Sequence, residues 1–185
     1  MLALAGIPLG LRFVFASPQP GECAFELGRA VVADWRSVEA DPGVLAEADV
    51  VTWEFENISL RALRRLEKIL PVFPSPEILA VKQDRLREKQ VFRSLNIPTA
   101  DFAPVDGVED ARNAAEVLGL PLVLKTRAHG YDGKGQVIAQ DIPHLEEAVS
   151  RGGHLLAEGF VPFVRELSLL GVRTADGCHR FYPVT

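Results

Sequence analysis

Leu122-Val123-Leu124-Lys125-Thr126-Arg127-Ala128-His129-Gly130-Tyr131-Asp132-Gly133-Lys134-Gly135-Gln136-Val137-Ile138 is the stretch on which the reading of this chain turns. An apolar run closes on Lys125. A loop follows that carries Gly130, Gly133 and Gly135 with a second lysine, Lys134, between the last two. A second β-branched run then begins at Val137. Two strands joined by such a loop can fold over a polyphosphate, because glycine lets backbone N–H groups approach the oxygens and lysine supplies the counter-charge. No helix opens directly after the loop, so it is not the phosphate loop that sits at a helix N-terminus.

Around that stretch, 185 residues suffice for one large domain or two small ones. The apolar fraction of 48% and the charged fraction of 24% are those of an ordinary globular protein. A net charge of −5 argues against nucleic acid as the main partner, since that binding rests on excess Lys and Arg. Cys23 and Cys178 form neither a metal-ligand spacing nor a disulfide framework, which fits a reducing cytoplasm. Residues 1–17 are apolar, but they lack a basic start and are interrupted by Pro8, Gly10 and Arg12, so they are not read as a secretory leader. No run approaches the roughly 20 apolar residues of a membrane span.

Residues 1–75 alternate short apolar runs with helical patterns. A helix end at 1–5 is closed by Gly6 and Pro8. Strands are predicted at 11–15, 29–32, 49–53 and 72–73, with helices at 42–48 and 59–70. In the last of these, Leu60, Leu63, Leu66 and Ile69/Leu70 recur at helical spacing. This alternation predicts a parallel α/β sheet. Such a unit ordinarily begins with a strand and a glycine-rich turn, whereas this chain starts in the helix, so the first strand is expected to be missing. Pro74-Ser75-Pro76 marks the expected boundary between a domain at 1–75 and one at 76–185. Beyond it the patterns predict a long helix at 77–95, helices at 106–118 and 144–150, and strands at 155–158, 165–173 and 179–184. Asp176-Gly177 is a hairpin turn signal between the last two strands.

Thr52-Trp53-Glu54-Phe55-Glu56-Asn57, Pro74-Ser75-Pro76, Gln83-Asp84-Arg85-Leu86-Arg87-Glu88-Lys89, Leu124-Lys125-Thr126-Arg127, Gly130 to Gln136, Glu158-Gly159-Phe160-Val161, Arg165-Glu166-Leu167-Ser168 and Phe181-Tyr182-Pro183 occur in that order. In this order the motifs resemble the N5-carboxyaminoimidazole ribonucleotide synthetases of the ATP-grasp superfamily, over essentially the whole chain. The resemblance implies an α/β fold: an N-terminal parallel α/β pre-ATP-grasp domain lacking its first strand, then a partial ATP-grasp domain of α+β type. It implies the reaction of ATP, bicarbonate and 5-aminoimidazole ribonucleotide to ADP, phosphate and N5-carboxyaminoimidazole ribonucleotide, through carboxyphosphate, in purine biosynthesis. ATP and Mg²⁺ are the implied cofactors. The implied partners are the three substrates and a second copy in a homodimer, with no nucleic acid and no membrane, in the cytoplasm. The family's metal ligands are expected beyond the last residue and its substrate-binding glycine turn before the first. The resemblance therefore implies a chain that binds ATP without completing the reaction alone. Two alternatives stay open: a non-catalytic nucleotide-binding module, and the related formate-dependent glycinamide ribonucleotide transformylase.

The same resemblance marks residues. Lys125 would contact an ATP phosphate or the adenine edge; the other reading is a strand-end lysine reaching water. Gly130, Tyr131, Asp132, Gly133, Lys134, Gly135 and Gln136 would form a lid over the phosphates, against the alternative of an ordinary glycine-rich hairpin. The family usually has glycine where this chain has His129. Arg85 would bind nucleotide, against a solvated helix face. Glu158, Gly159, Phe160 and Val161 would be the hinge strand along the adenine, reading it through the backbone. Glu166 would accept from the ribose hydroxyls, or is an exposed strand glutamate. Glu54, Glu56 and Asn57 either face the ribonucleotide, with Glu54 the candidate contact, or serve helix capping with Asn57 or Ser59 as the cap. No catalytic residue is identified, and the scattered histidines and cysteines form no triad and no metal set.

Overall fold

The computed structural model describes residues 1–130 and 135–185. Helix α1 (Leu2–Gly6) runs into a 3-10 turn, Ile7–Leu9, which ends at Gly10 in the left-handed region. Strand β1 (Val14–Ser17) pairs in parallel with β2 (Arg29–Val32), in the register Val14 to Arg29 and Ser17 to Val32. Parallel neighbours need a crossover rather than a tight turn, and the intervening chain includes the 3-10 segment Cys23–Leu27. Asp34 starts α2 (Trp35–Ala40) by accepting from the Ser37 N–H at 2.8 Å. Ser59 starts α3 (Leu60–Leu66) by accepting from the Ala62 N–H at 3.1 Å.

Several predicted elements are shorter than their patterns. The helix expected at 42–48 is the 3-10 turn Pro42–Leu45 alone. The strands expected at 49–53 and 72–73 reduce to one parallel bridge, Val51 to Val72. Helix α3 stops at Leu66, although the apolar spacing runs on to Leu70, where the Lys68 and Ile69 N–H groups donate three residues back, to Arg65 and Leu66 C=O. Val38, Leu45, Ala62, Leu63, Leu66 and Val72 form the core of this part, and Leu79 joins them from α4 (Pro76–Lys82).

The long helix expected at 77–95 is two helices, α4 and α5 (Arg85–Ser94). Asp84 between them is extended, with φ −134° and ψ 108°, and its carboxylate accepts from the Leu86 N–H at 3.0 Å. An aspartate at an N-cap satisfies a backbone donor that the new helix leaves free, and this turns the chain.

Strand β3 (Phe102–Val105), helix α6 (Val108–Leu118), strands β4 (Leu122–Thr126) and β5 (Gln136–Ala139), helix α7 (Ile142–Ser150) and strand β6 (Leu155–Gly159) follow. The strands make one antiparallel sheet in the order β3-β6-β4-β5. Leu122, Leu124, Ala139, Leu155, Ala157 and Val105 point to one face, where Ala111, Ala114, Ala115, Leu145, Ala148 and Val149 of α6 and α7 complete the core. Period-2 alternation sends Val123, Lys125, Leu156 and Glu158 to the opposite face.

The chain ends in a hairpin of β7 (Gly171–Arg173) and β8 (His179–Phe181), turning at Gly177 with φ 86°. The predicted strand at 165–173 begins only at Gly171, and the return strand ends at Phe181 rather than 184. Ser168 and Thr185 still exchange backbone hydrogen bonds, at 2.8 and 3.1 Å. Every residue from 160 to 185 except Gly177 is exposed, so alternation along this stretch has no buried face to enforce a longer strand. Among the described residues, no helix is long and apolar enough to cross a membrane.

Candidate functional site

Glu158 is the buried charged residue of the described chain, with 7% of its surface exposed. An apolar strand, Leu155-Leu156-Ala157, carries it beneath the sheet face opposite α6 and α7. Antiparallel register places Val123 beside Glu158 and Lys125 beside Leu156, so Lys125 and Glu158 are diagonal neighbours on that face. The Lys125 Nζ donates to Glu158 Oε2 at 3.0 Å. A second ammonium, Lys89 Nζ from α5, lies 3.2 Å from the same oxygen and donates to Thr99 Oγ1 at 2.6 Å. One turn further along α5, the Arg93 guanidinium stacks over the Phe102 ring at 4.0 Å, so α5 lies on the charged face of the sheet. Burying a carboxylate is costly unless it is paired and hydrogen-bonded, and both ammoniums meet that need.

The start of α5 is tied to the same region. The Arg127 fork grips Asp84: Nε donates to Oδ1 at 3.0 Å, and Nη2 bonds Oδ2. These hydrogen bonds hold the Asp84 carboxyl below the ordinary aspartate range, and the same contact raises Arg127. The Arg85 N–H donates to Arg127 C=O at 2.9 Å. Its guanidinium Nη2 reaches Gly130 C=O at a long 3.5 Å, so Arg85 faces the glycine loop rather than bulk solvent.

At the loop's far end, Thr126 N–H donates to Gly135 C=O at 2.8 Å. Gly135 has φ 79°, and a Cβ there would stand 2.6 Å from Thr126 Oγ1, so only glycine closes the loop this way. Gln136 opens β5 opposite Lys125 and is exposed. Tyr131, Asp132, Gly133 and Lys134 lie outside the described residues. His129 adopts φ 61°, the left-handed conformation a glycine would take freely and that histidine tolerates better than most side chains. Its Nδ1 lies 3.3 Å from Asn57 Oδ1.

That contact brings the segment at 54–58 beside the loop. Gln83 Nε2, immediately before Asp84, donates to Glu56 C=O at 2.8 Å and Ile58 C=O at 2.7 Å. Ser59, rather than Asn57, caps α3. Gln83, Asp84, Arg85 and Lys89 thus reach four different parts: the 54–58 segment, the end of β4, the glycine loop and β6.

Other expected residues stand apart. Glu54 and Glu56 are exposed, and β6 ends at Gly159, leaving Phe160 and Val161 beyond the strand. Gly159 N–H donates to Asp101 C=O at 2.9 Å. Glu166 is exposed in irregular chain, and no hydrogen bond or ion pair joins it to the charged cluster among the described residues. Likewise no three of His, Cys, Asp and Glu are grouped to hold a metal ion there.

The sequence reading missed Lys89 and the side-chain role of Glu158. For Glu158 a signal was present: a glutamate closing an apolar buried run must find a cation. The segment Gln83 to Lys89 supplies one on the helical face that meets the sheet.

Residues 1–83 match the ribonucleotide synthetase preATP-grasp domain and residues 90–185 the ATP-grasp domain. The chain is 45% identical over its whole length to N5-carboxyaminoimidazole ribonucleotide synthase of Pseudomonas aeruginosa, covering 52% of that protein. It is similar to the crystal structure of N5-carboxyaminoimidazole ribonucleotide synthetase from Thermus thermophilus, with 46% identity, a TM-score of 0.88 and coverage of 100% of this chain and 50% of that one. The N5-carboxyaminoimidazole synthetase of Staphylococcus aureus complexed with ADP matches at 29% identity and a TM-score of 0.93, again over 100% and 50%. The chain spans about half the length of the curated relatives it matches.

Proposed function

This chain belongs to the ATP-grasp family, and we propose that it supplies the nucleotide clamp for ATP-dependent carboxylation of 5-aminoimidazole ribonucleotide with bicarbonate. The observation that carries this reading is the Lys125–Glu158–Lys89 cluster at the mouth of the glycine loop, in a chain alike end to end to N5-carboxyaminoimidazole ribonucleotide synthases.

In this reading ATP lies along β6 and beyond it, with the adenine edge against the backbone of Glu158, Gly159, Phe160 and Val161. Lys125 and Arg85 face the phosphates, with Gly130 at one end of the glycine loop and Gly135 and Gln136 at the other. Glu166 accepts from the ribose hydroxyls, and Glu54 faces the ribonucleotide. Phosphoryl transfer depends on positioning and charge neutralisation, which these cations and loop N–H groups supply. Mg²⁺ would supply further neutralisation of phosphate charge, and among the described residues no three His, Cys, Asp or Glu side chains are grouped to hold it. A two-part division is supported by two separate apolar cores, although Leu79 of α4, beyond Pro74-Ser75-Pro76, packs in the first of them. The family resemblance also implies a homodimer. A cytoplasmic setting is supported by the exposed free thiols of Cys23 and Cys178.

The test combines binding with turnover. Calorimetry of this chain with ATP should give saturable binding. Mixed with the C-terminal half of the P. aeruginosa relative, the chain should release ADP only when bicarbonate and 5-aminoimidazole ribonucleotide are both present. Binding without any such release in the mixture would favour a non-catalytic module. Release with glycinamide ribonucleotide and formate would favour the transformylase.

A further inference from the structure

We infer that Lys89 is a positioning residue for nucleotide binding, one that frees Lys125 by holding the buried Glu158 carboxylate in its place; this rests on the ATP reading above. Three groups meet at one point. Glu158 Oε2 receives Lys125 Nζ at 3.0 Å and Lys89 Nζ at 3.2 Å. The side chains are 9% exposed for Glu158, 15% for Lys89 and 23% for Lys125, so the carboxylate and Lys89 lie deepest.

The ammonium groups are not equivalent. Each has three donors. Lys89 directs one to Glu158 and another to Thr99 Oγ1 at 2.6 Å, and its backbone is fixed in the middle of α5. Lys125 sits at the end of β4, directly before the glycine loop, and Glu158 is its one side-chain partner among the described residues. Two ammoniums share one carboxylate, which leaves a net positive charge in this cluster. An excess charge in a partly dry site is costly unless an electron-rich group completes it. With Lys89 satisfying Glu158, Lys125 can turn its remaining donors to a phosphate oxygen. Without Lys89, Lys125 becomes the sole counter-ion of a buried carboxylate and is neutralised by it.

Lys89 therefore acts through Lys125 and does not touch the ligand. The experiment is a double-mutant cycle in this chain, with ATP affinity read by calorimetry and folding by thermal melting. Lys89→Met should weaken ATP about tenfold in the wild-type background, as expected for loss of a charge-assisted contact. In a Lys125→Met background the same change should cost less than about twofold, because its path to the ligand is already gone. Lys89→Arg, which keeps the charge on α5, should bind within about threefold of wild type. A merely structural lysine would lower the melting temperature and weaken ATP equally in both backgrounds, and that result overturns the inference. If Lys89→Met fails to fold, Thr99→Val keeps every charge and removes one anchor of Lys89. It should weaken ATP by about two- to threefold, and unchanged affinity in folded Thr99→Val overturns the inference. If wild type itself does not bind ATP, the reading beneath the inference fails, an outcome distinct from a wild type that binds ATP without regard to Lys89.

Discussion

Glu158 and Glu166 are eight residues apart and live in opposite worlds. Glu158 lies near the end of a strand buried between two others, and two ammoniums reach one of its oxygens. Glu166 lies in irregular, exposed chain ahead of the terminal hairpin. A carboxylate with almost no water must be paired by the fold, so its partners can be read from packing. A carboxylate in water is free of that demand, and only a ligand gives it a task. Substitutions in the apolar packing around Glu158 should therefore disturb folding, whereas those around Glu166 should disturb binding alone.

The contrast is sharpest in stability. Leu156 is fully buried beside Glu158, while Val164 is 94% exposed. Leu156→Ala should destabilise the protein by about 3 kcal/mol, and Val164→Ala by less than about 0.5 kcal/mol, by urea denaturation. Equal losses would break the comparison. Next in size, Lys125→Met should weaken ATP binding at least about tenfold, near 1.4 kcal/mol, while preserving the far-UV circular dichroism spectrum.

The Asp84–Arg127 pair comes third. The Asp84 carboxyl titrates below the ordinary aspartate value in the folded protein. Its contribution is therefore fully present above about pH 4 and is lost as pH falls through the lowered folded value. Asp84→Asn keeps the cap but loses the charge pairing with Arg127, so it should cost up to about 1 kcal/mol at neutral pH, and its stability should fall less steeply than wild type below about pH 4. Parallel acid profiles would contradict this. Glu166→Gln should weaken ATP about threefold, some 0.6 kcal/mol, with no change in melting temperature. A drop in melting temperature would show that Glu166 is held by the fold after all. The smallest effect belongs to His129→Gly. Relief of the left-handed conformation offsets the lost Asn57 contact and the greater freedom of the unfolded chain, so stability should move by less than about 0.5 kcal/mol.

Much of this was legible in the residues. The apolar run before Lys125, Gly135 after it and the turn at Asp176-Gly177 report directly on backbone needs, and they lie where the patterns put them. The α/β character of the first part shows in its parallel pairings. Boundaries were less legible. The break at Gln83-Asp84 hides in a charge-rich helical pattern because aspartate caps a helix only when the chain before it turns, and that turn depends on Arg127, 43 residues away. The strand expected at 165–173 failed for the converse reason: alternation fixes a strand only where one face is buried. At the site, Lys125 could be picked out from its place before the glycine loop, and Arg85 only through the family resemblance. Lys89 could not, because its partner Glu158 lies 69 residues on in sequence and meets it only through the sheet order β3-β6-β4-β5.

Calorimetric titration of ATP into wild type and Lys125→Met tests most directly whether this charged sheet face is a nucleotide site. Saturable one-to-one binding by wild type, weakened at least about tenfold in a folded Lys125→Met protein, is the predicted result. No binding by wild type, or equal binding by both proteins, would contradict it.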